Sequence, residues 1–125
     1  MKNTTGEAIN IARYYVDAMM NKKIEIILSI SSEDVVCISP LGETKGVESF
    51  RSFHDGFARM TTKLSILAIY GDDEQAVIVY DVETHPVPHS TVAEFITVKN
   101  GKLIRTQVIY DATPFASYLA SMSPN

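Results

Sequence analysis

The sequence predicts an α+β domain in which helices come first and a curved antiparallel sheet closes over them. Ala8, Ile11, Ala12, Tyr15, Val16 and Met19 recur at helical spacing near the start of the chain, whereas the stretch from Ala76 to Asp111 divides into three consecutive segments of period-two alternation. Within that stretch Val92, Glu94, Ile96 and Val98 share one strand face, which sets a carboxylate on an otherwise apolar surface.

Thr4 and Glu7 have capping-box spacing ahead of the first helix, which extends as far as Asn21. Tyr15 lies in its apolar stripe and is expected to point inward, while Tyr14 is turned about 100° away beside Arg13 and Asp17. Ile24, Ile27 and Leu28 predict a short second helix ending near Ser31-Ser32. Val35 to Ser39 is a first strand, stopped by Pro40, and residues 41–46 read as a loop. A third helix runs from about Val47 to Met60, with Phe50, Phe53, His54 and Phe57 at i, i+3, i+4 and i+7, so His54 shares a stripe with three aromatics. Leu64 to Tyr70 and Ala76 to His85 follow as strands around a turn at residues 71–73, and Pro86 and Pro88 mark the next connection. Thr113 can cap a last helix with Pro114 at its first position and Phe115 and Leu119 on a weak apolar side.

The hairpin at Lys99-Asn100-Gly101-Lys102 fixes the register of the last two strands. A two-residue Asn-Gly turn would carry Glu94 onto a face shared with Arg105 and mix the apolar sides. A three-residue loop with Gly101 in the left-handed conformation is therefore expected, pairing Val98 with Lys102, Ile96 with Ile104, Glu94 with Thr106 and Val92 with Val108. Ile104, Thr106, Val108 and Tyr110 then face inward. Ala93, Phe95, Leu103 and Ile109 fall on the outer face among Thr97, Arg105 and Gln107, too apolar for a free surface, and predict a homodimer.

Composition narrows the function. At 125 residues and 46% hydrophobic, the chain suits one compact domain over residues 1–125. A net charge of −4 with no Lys/Arg run beyond the Lys22-Lys23 doublet argues against a nucleic-acid partner. Cys37 is the single cysteine, expected as a small buried hydrophobe. No apolar run approaches a membrane span, so a cytoplasmic protein without a membrane partner is expected. His85 and His89 flank Pro86-Val87-Pro88, but their spacing matches no ligand motif, and neither a metal nor another cofactor is expected.

The order of elements, the segment from Tyr15 through Gly46, and the run Ala93-Glu94-Phe95, Asn100-Gly101-Lys102-Leu103 and Tyr110-Asp111-Ala112-Thr113-Pro114-Phe115 resemble the nuclear transport factor 2-like superfamily, in particular SnoaL-like proteins and ketosteroid isomerases. The resemblance implies a cone-shaped fold with a pocket between sheet and helices. It also implies that Tyr15 matches the tyrosine donating to the steroid oxyanion, Glu94 the protonated aspartic acid, and His54 a second, supporting tyrosine. The general-base aspartate falls at Ser39, which cannot take a proton alpha to a carbonyl. Alternation of Ile78, Tyr80 and Val82 sets Asp81, Glu83 and His85 in solvent. The resemblance implies the opposite parity, with Asp81 across from Glu94, and on that footing Asp81 is the expected substitute base. Glu94, Asp81, Tyr15 and His54 are thus the expected catalytic set, and Ser39, Phe53, Phe57, Val108 and Tyr110 the expected ligand contacts. The resulting expectation is a small-molecule pocket protein for a mainly hydrophobic, oxygen-bearing ligand, capable as an enzyme of isomerisation, cyclisation or dehydration. The alternative is a non-catalytic binding or interaction module in which Phe50, Phe53 and Phe57 fill the cavity, and Glu94 is a structural carboxylate bonded to Tyr15 or His54.

Overall fold

The computed structural model describes residues 6–122. In chain order it contains α1 (Glu7–Met20), α2 (Ile24–Ser29), β1 (Ser31–Ser39), β2 (Gly42–Lys45), α3 (Val47–Met60), β3 (Thr61–Gly71), β4 (Gln75–Thr84), β5 (Ser90–Lys99), β6 (Lys102–Ile109) and α4 (Thr113–Met122). The strands form one six-stranded sheet in the order β2-β1-β6-β5-β4-β3. All neighbours are antiparallel except β1 and β6, which run parallel. Residues 42–45, expected as loop, pair instead with β1 as a short edge strand, because the turn at Pro40-Leu41 returns the chain against Val36 to Ser39.

The helices α1 and α3 pack on one face of the sheet, and the core lies between. Ala8, Ala12, Tyr15 and Val16 of α1 and Phe50 of α3 are fully buried there, against Ile78 of β4, Ile96 of β5 and Leu103 of β6. Tyr15 points in and Tyr14 is 63% exposed, as the helical stripe requires. Thr4 and the Leu119 side chain lie outside the described residues. The first turn of α1 is satisfied by the β3–β4 turn: Asp73 Oδ1 accepts from the Gly6 and Glu7 amides at 2.6 and 3.1 Å, and the Asp72 carbonyl accepts from Ala8 and Ile9 at 3.1 and 3.3 Å. At α4 the capping oxygen comes from Asp111, whose Oδ1 accepts from the Thr113 amide at 3.0 Å, rather than from Thr113.

The β5–β6 hairpin departs from the expected register in an instructive way. Asn100 and Gly101 have φ of 53° and 73°, and Lys99 pairs with Lys102, so the turn is the two-residue form with both central residues left-handed. The apolar parity survives because β6 bulges one residue later: Val98 pairs with Leu103 and Thr97 with Arg105, leaving Ile104 as the extra residue. Glu94 consequently pairs with Val108 and Ile96 with Thr106. Leu103, expected outside, is fully buried inside. Glu94, Ile96, Thr106 and Val108 still share the inner face.

Candidate functional site

Five elements bring one side chain each together under the sheet, with Glu94 of β5 at the centre. Tyr15 from α1 donates its hydroxyl to Glu94 Oε1 at 2.8 Å. Tyr80 from β4 donates to Oε2 at 2.7 Å, and Thr106 from β6 donates to Oε1 at 2.8 Å. His54 Nε2 of α3 lies 3.0 Å from the Tyr15 oxygen. Since Tyr15 gives its proton to Glu94, His54 must be the donor in that contact, which fixes the proton on Nε2. Each member of the group is at most 1% exposed.

Burial governs the charge states. Desolvation raises the Glu94 pKa, and the hydroxyls of Tyr80, Tyr15 and Thr106 oppose that rise by bonding the carboxylate. Burial pushes the His54 imidazolium down from 6.5 to about 3, so His54 is neutral at ordinary pH. The imidazole is walled by aromatic edges, with ring centroids of Phe50, Phe53 and Tyr15 at 4.6, 5.1 and 5.4 Å. Both phenols are held well above 10, first by burial and then by the Glu94 charge, and they remain proton donors. Cys37 is buried, and its thiol is pushed up to about 12 for the same two reasons.

Beside this group lies a cavity of about 640 Å³ between the sheet and α3, within the range of small-molecule pockets. Phe53, Phe57, Val108 and Tyr110 line it, so Phe53 and Phe57 of α3 wall the space rather than fill it. Phe50 sits in the core instead. Tyr15, His54 and Glu94 are brought together but lie behind the cavity wall. Tyr80 is the member of the group that reaches the lining, and sequence reading missed it. The signal was available: Tyr80 sits on the inward parity of β4, two residues from Ile78, the partner of Glu94 across the β4–β5 ladder. Ser39 is absent from the lining. Its Oγ accepts from the Leu41 amide at 3.1 Å and donates to the Gly42 carbonyl at 3.4 Å, so it steadies the β1–β2 turn.

Asp81 is a correction. It pairs with Ser65 and Thr91 on the outer face of the sheet, accepts from the Thr91 hydroxyl at 2.6 Å and lies 3.3 Å from His89 Nε2. Thr91 and His89 hold its carboxyl below the usual carboxylate range. Glu83 is likewise exposed on that side. The physical reason is that β4 pairs with β5 without a bulge from Gln75 to Val82, so the Ile78-Tyr80-Val82 alternation holds and leaves no irregularity to reverse the parity. Asp81→Asn is therefore expected to leave affinity for any cavity ligand unchanged, which isothermal titration of the variant checks. Among the described residues no cluster of His, Cys, Asp and Glu is arranged to hold a metal, and no helix is long and apolar enough to cross a membrane.

The chemistry available turns on one proton. When Glu94 is ionised, Tyr80 donates inward and offers the cavity only a lone pair. When Glu94 is neutral, its own proton can bond Tyr80, freeing the Tyr80 hydroxyl to donate to a ligand oxygen. The raised Glu94 pKa shifts the balance toward the second arrangement.

A helix-backed curved sheet enclosing a cavity defines a nuclear transport factor 2-like fold, and comparison with known proteins bears this out. Residues 11–106 match the SnoaL-like domain, and the chain belongs to that family. A crystal structure of a protein from Kribbella flavida is 31% identical, with a TM-score of 0.87 over 94% of this chain and 97% of that one. A candidate ketosteroid isomerase, also from Kribbella flavida, is 17% identical, with a TM-score of 0.76 over 84% of this chain and 78% of that one. A candidate polyketide cyclase from Sinorhizobium meliloti is 18% identical, with a TM-score of 0.72 over 80% and 94% of the two chains. The last two likenesses are of fold alone. No curated protein gives a significant match.

Proposed function

We propose that this chain binds a small, mainly hydrophobic molecule carrying an oxygen, held in the cavity with that oxygen against Tyr80. The observation that carries the reading is a cavity of about 640 Å³ whose wall includes a tyrosine bonded to a buried acid. Tyr15, Thr106 and His54 orient Glu94, and Glu94 sets the direction in which Tyr80 donates. Native mass spectrometry of protein purified from its own host tests for a retained molecule of this kind. Tyr80→Phe is expected to weaken binding about tenfold, the loss of one hydrogen bond to an oxygen; undiminished affinity in that variant would remove Tyr80 from the site.

Proton transfer, as in isomerisation, cyclisation or dehydration, is a second reading, favoured by the Glu94–Tyr80 relay, which can deliver a proton to a ligand oxygen. The likeness to a candidate ketosteroid isomerase and a candidate polyketide cyclase supports it at the level of fold. Binding is preferred because Asp81 faces away from the cavity and Ser39 is no base, so the expected carbon-acid chemistry lacks its proton acceptor.

The protein is further proposed to work as a homodimer in the cytoplasm. On the outer sheet face, Val77 and Phe95 lie in one cross-strand row, and Val79, Ala93 and Ile109 in the next. Tyr70, 73% exposed, extends the first row, and Ile109 is 51% exposed. Such a surface favours a self-complementary contact across a two-fold axis. Phe95→Arg is expected to shift sedimentation equilibrium at micromolar concentration toward monomer; a monomeric parent protein would count against the dimer.

A further inference from the structure

We infer that the cavity's ligand is an amphipathic anion, a hydrophobic molecule ending in a carboxylate that seats between Arg59 and His85 at the cavity rim. The inference rests on the binding function proposed above and names its ligand class. Arg59 stands in the last turn of α3 and His85 just beyond β4; both are exposed and both line the cavity. They are neighbours by construction, because the His85 amide donates to the Met60 carbonyl at 2.9 Å, fastening the end of β4 to the end of α3.

Among the described residues, the cavity lining contains no aspartate or glutamate, although the chain carries 15 acids against 11 Lys and Arg. Asp55, one turn before Arg59 on α3, forms no ion pair with it and is not in the lining. Among the described residues, the ion pairs engage Arg51 and His89, and neither Arg59 nor His85 has an acidic partner. Lys22 adds a further cation at the same end, its Nζ bonded to the Thr61 carbonyl at 2.7 Å. The nearest acid along β4 is Glu83, which lies across from Lys63 on the exposed side. A guanidinium facing an apolar cavity without a counter-ion is a site for a carboxylate, which it can hold bidentately.

The spacing gives the ligand two distinct ends. A strand rises about 3.3 Å per residue, so His85 stands roughly 16 Å along β4 from Tyr80. One polar group cannot serve both. The carboxylate belongs at the exposed rim, and the deeper oxygen belongs at Tyr80, where burial disfavours a charged group.

The test uses the full chain loaded with Nile red, a neutral dye, and displaced by matched pairs: decanoate against decanol, and naphthylacetate against naphthylethanol. In the parent protein each acid is expected to displace the dye about tenfold more effectively than its alcohol. In Arg59→Gln the ratio is expected to fall to near one, in Arg59→Lys to remain partly above one, and in His85→Gln to fall by a smaller factor. Equal acid and alcohol affinities in the parent, or an unchanged ratio in Arg59→Gln, would overturn the anion site while leaving a hydrophobic cavity standing. If neither the dye nor the alcohols bind, the cavity reading itself fails, and the anion site with it.

Discussion

Glu94→Ala is expected to destabilise the fold by about 3–5 kcal/mol, a large share of the roughly 5–15 kcal/mol by which a domain this size is stable. The substitution leaves the buried hydroxyls of Tyr15 and Thr106 without their acceptor, whereas Tyr80, which reaches the cavity, can turn toward it. Each unsatisfied buried group costs about 1–3 kcal/mol, and the vacated volume adds a cavity penalty. Glu94→Gln keeps the volume and one acceptor oxygen. If that oxygen serves Tyr15 and Thr106, the amide nitrogen faces Tyr80, which turns to accept rather than donate. The expected cost is about 1–2 kcal/mol. Urea denaturation at neutral pH separates the cases, and an alanine variant no weaker than the glutamine one would mean that the hydroxyls find other partners.

The same acid shows how far the sequence could be read. Its position on an apolar face, the inward stripe of α1 and the aromatic stripe of α3 were all legible, because periods of 2 and 3.6 state which side chains share a face. Those periods turn Tyr15, His54 and Glu94 each inward, the resemblance implies that they lie near one another, and the structure joins them through contacts of 2.8 and 3.0 Å. Whether they touch a ligand was not legible, since depth behind a wall depends on how strongly the sheet curves over α3. The hairpin shows a different limit. The apolar pattern required a bulge but did not say where, and the three-residue turn and the two-residue turn with a bulge at Ile104 satisfy the same parity. With Asp81 the local alternation was right and the resemblance misled. The unbroken β4–β5 ladder keeps Tyr80 inward, and a tyrosine on that parity is the residue through which the buried acid meets the cavity.

The buried His54 and Glu94 also set opposed pH dependences, and His54 is expected to dominate in acid. Its pKa is pushed down to about 3 in the folded protein from an ordinary 6.5, so the unfolded chain binds the extra proton first. Stability from this group is fully present above pH 6.5 and is lost as pH falls toward 3, on the order of 5 kcal/mol in all. Glu94 acts with the opposite sign, because its folded pKa is raised: its contribution is intact below about 4.5 and declines as pH climbs through the folded value. From about pH 4.5 up to the folded Glu94 value the two contributions oppose each other, so the stability curve is expected to be flatter there than in the more acid range, where only the His54 loss acts. Replacing His54 by phenylalanine, which suits the aromatic wall of Phe50 and Phe53, removes one slope and leaves Tyr15 able to keep its bond to Glu94. In His54→Phe the acid-side loss attributable to the imidazole should vanish, and stability should decline from about pH 4.5 upward through the Glu94 titration. Urea midpoints measured from pH 3 to 8 in both proteins check this; an acid-side loss of equal size in the variant would show that His54 is not the group that titrates.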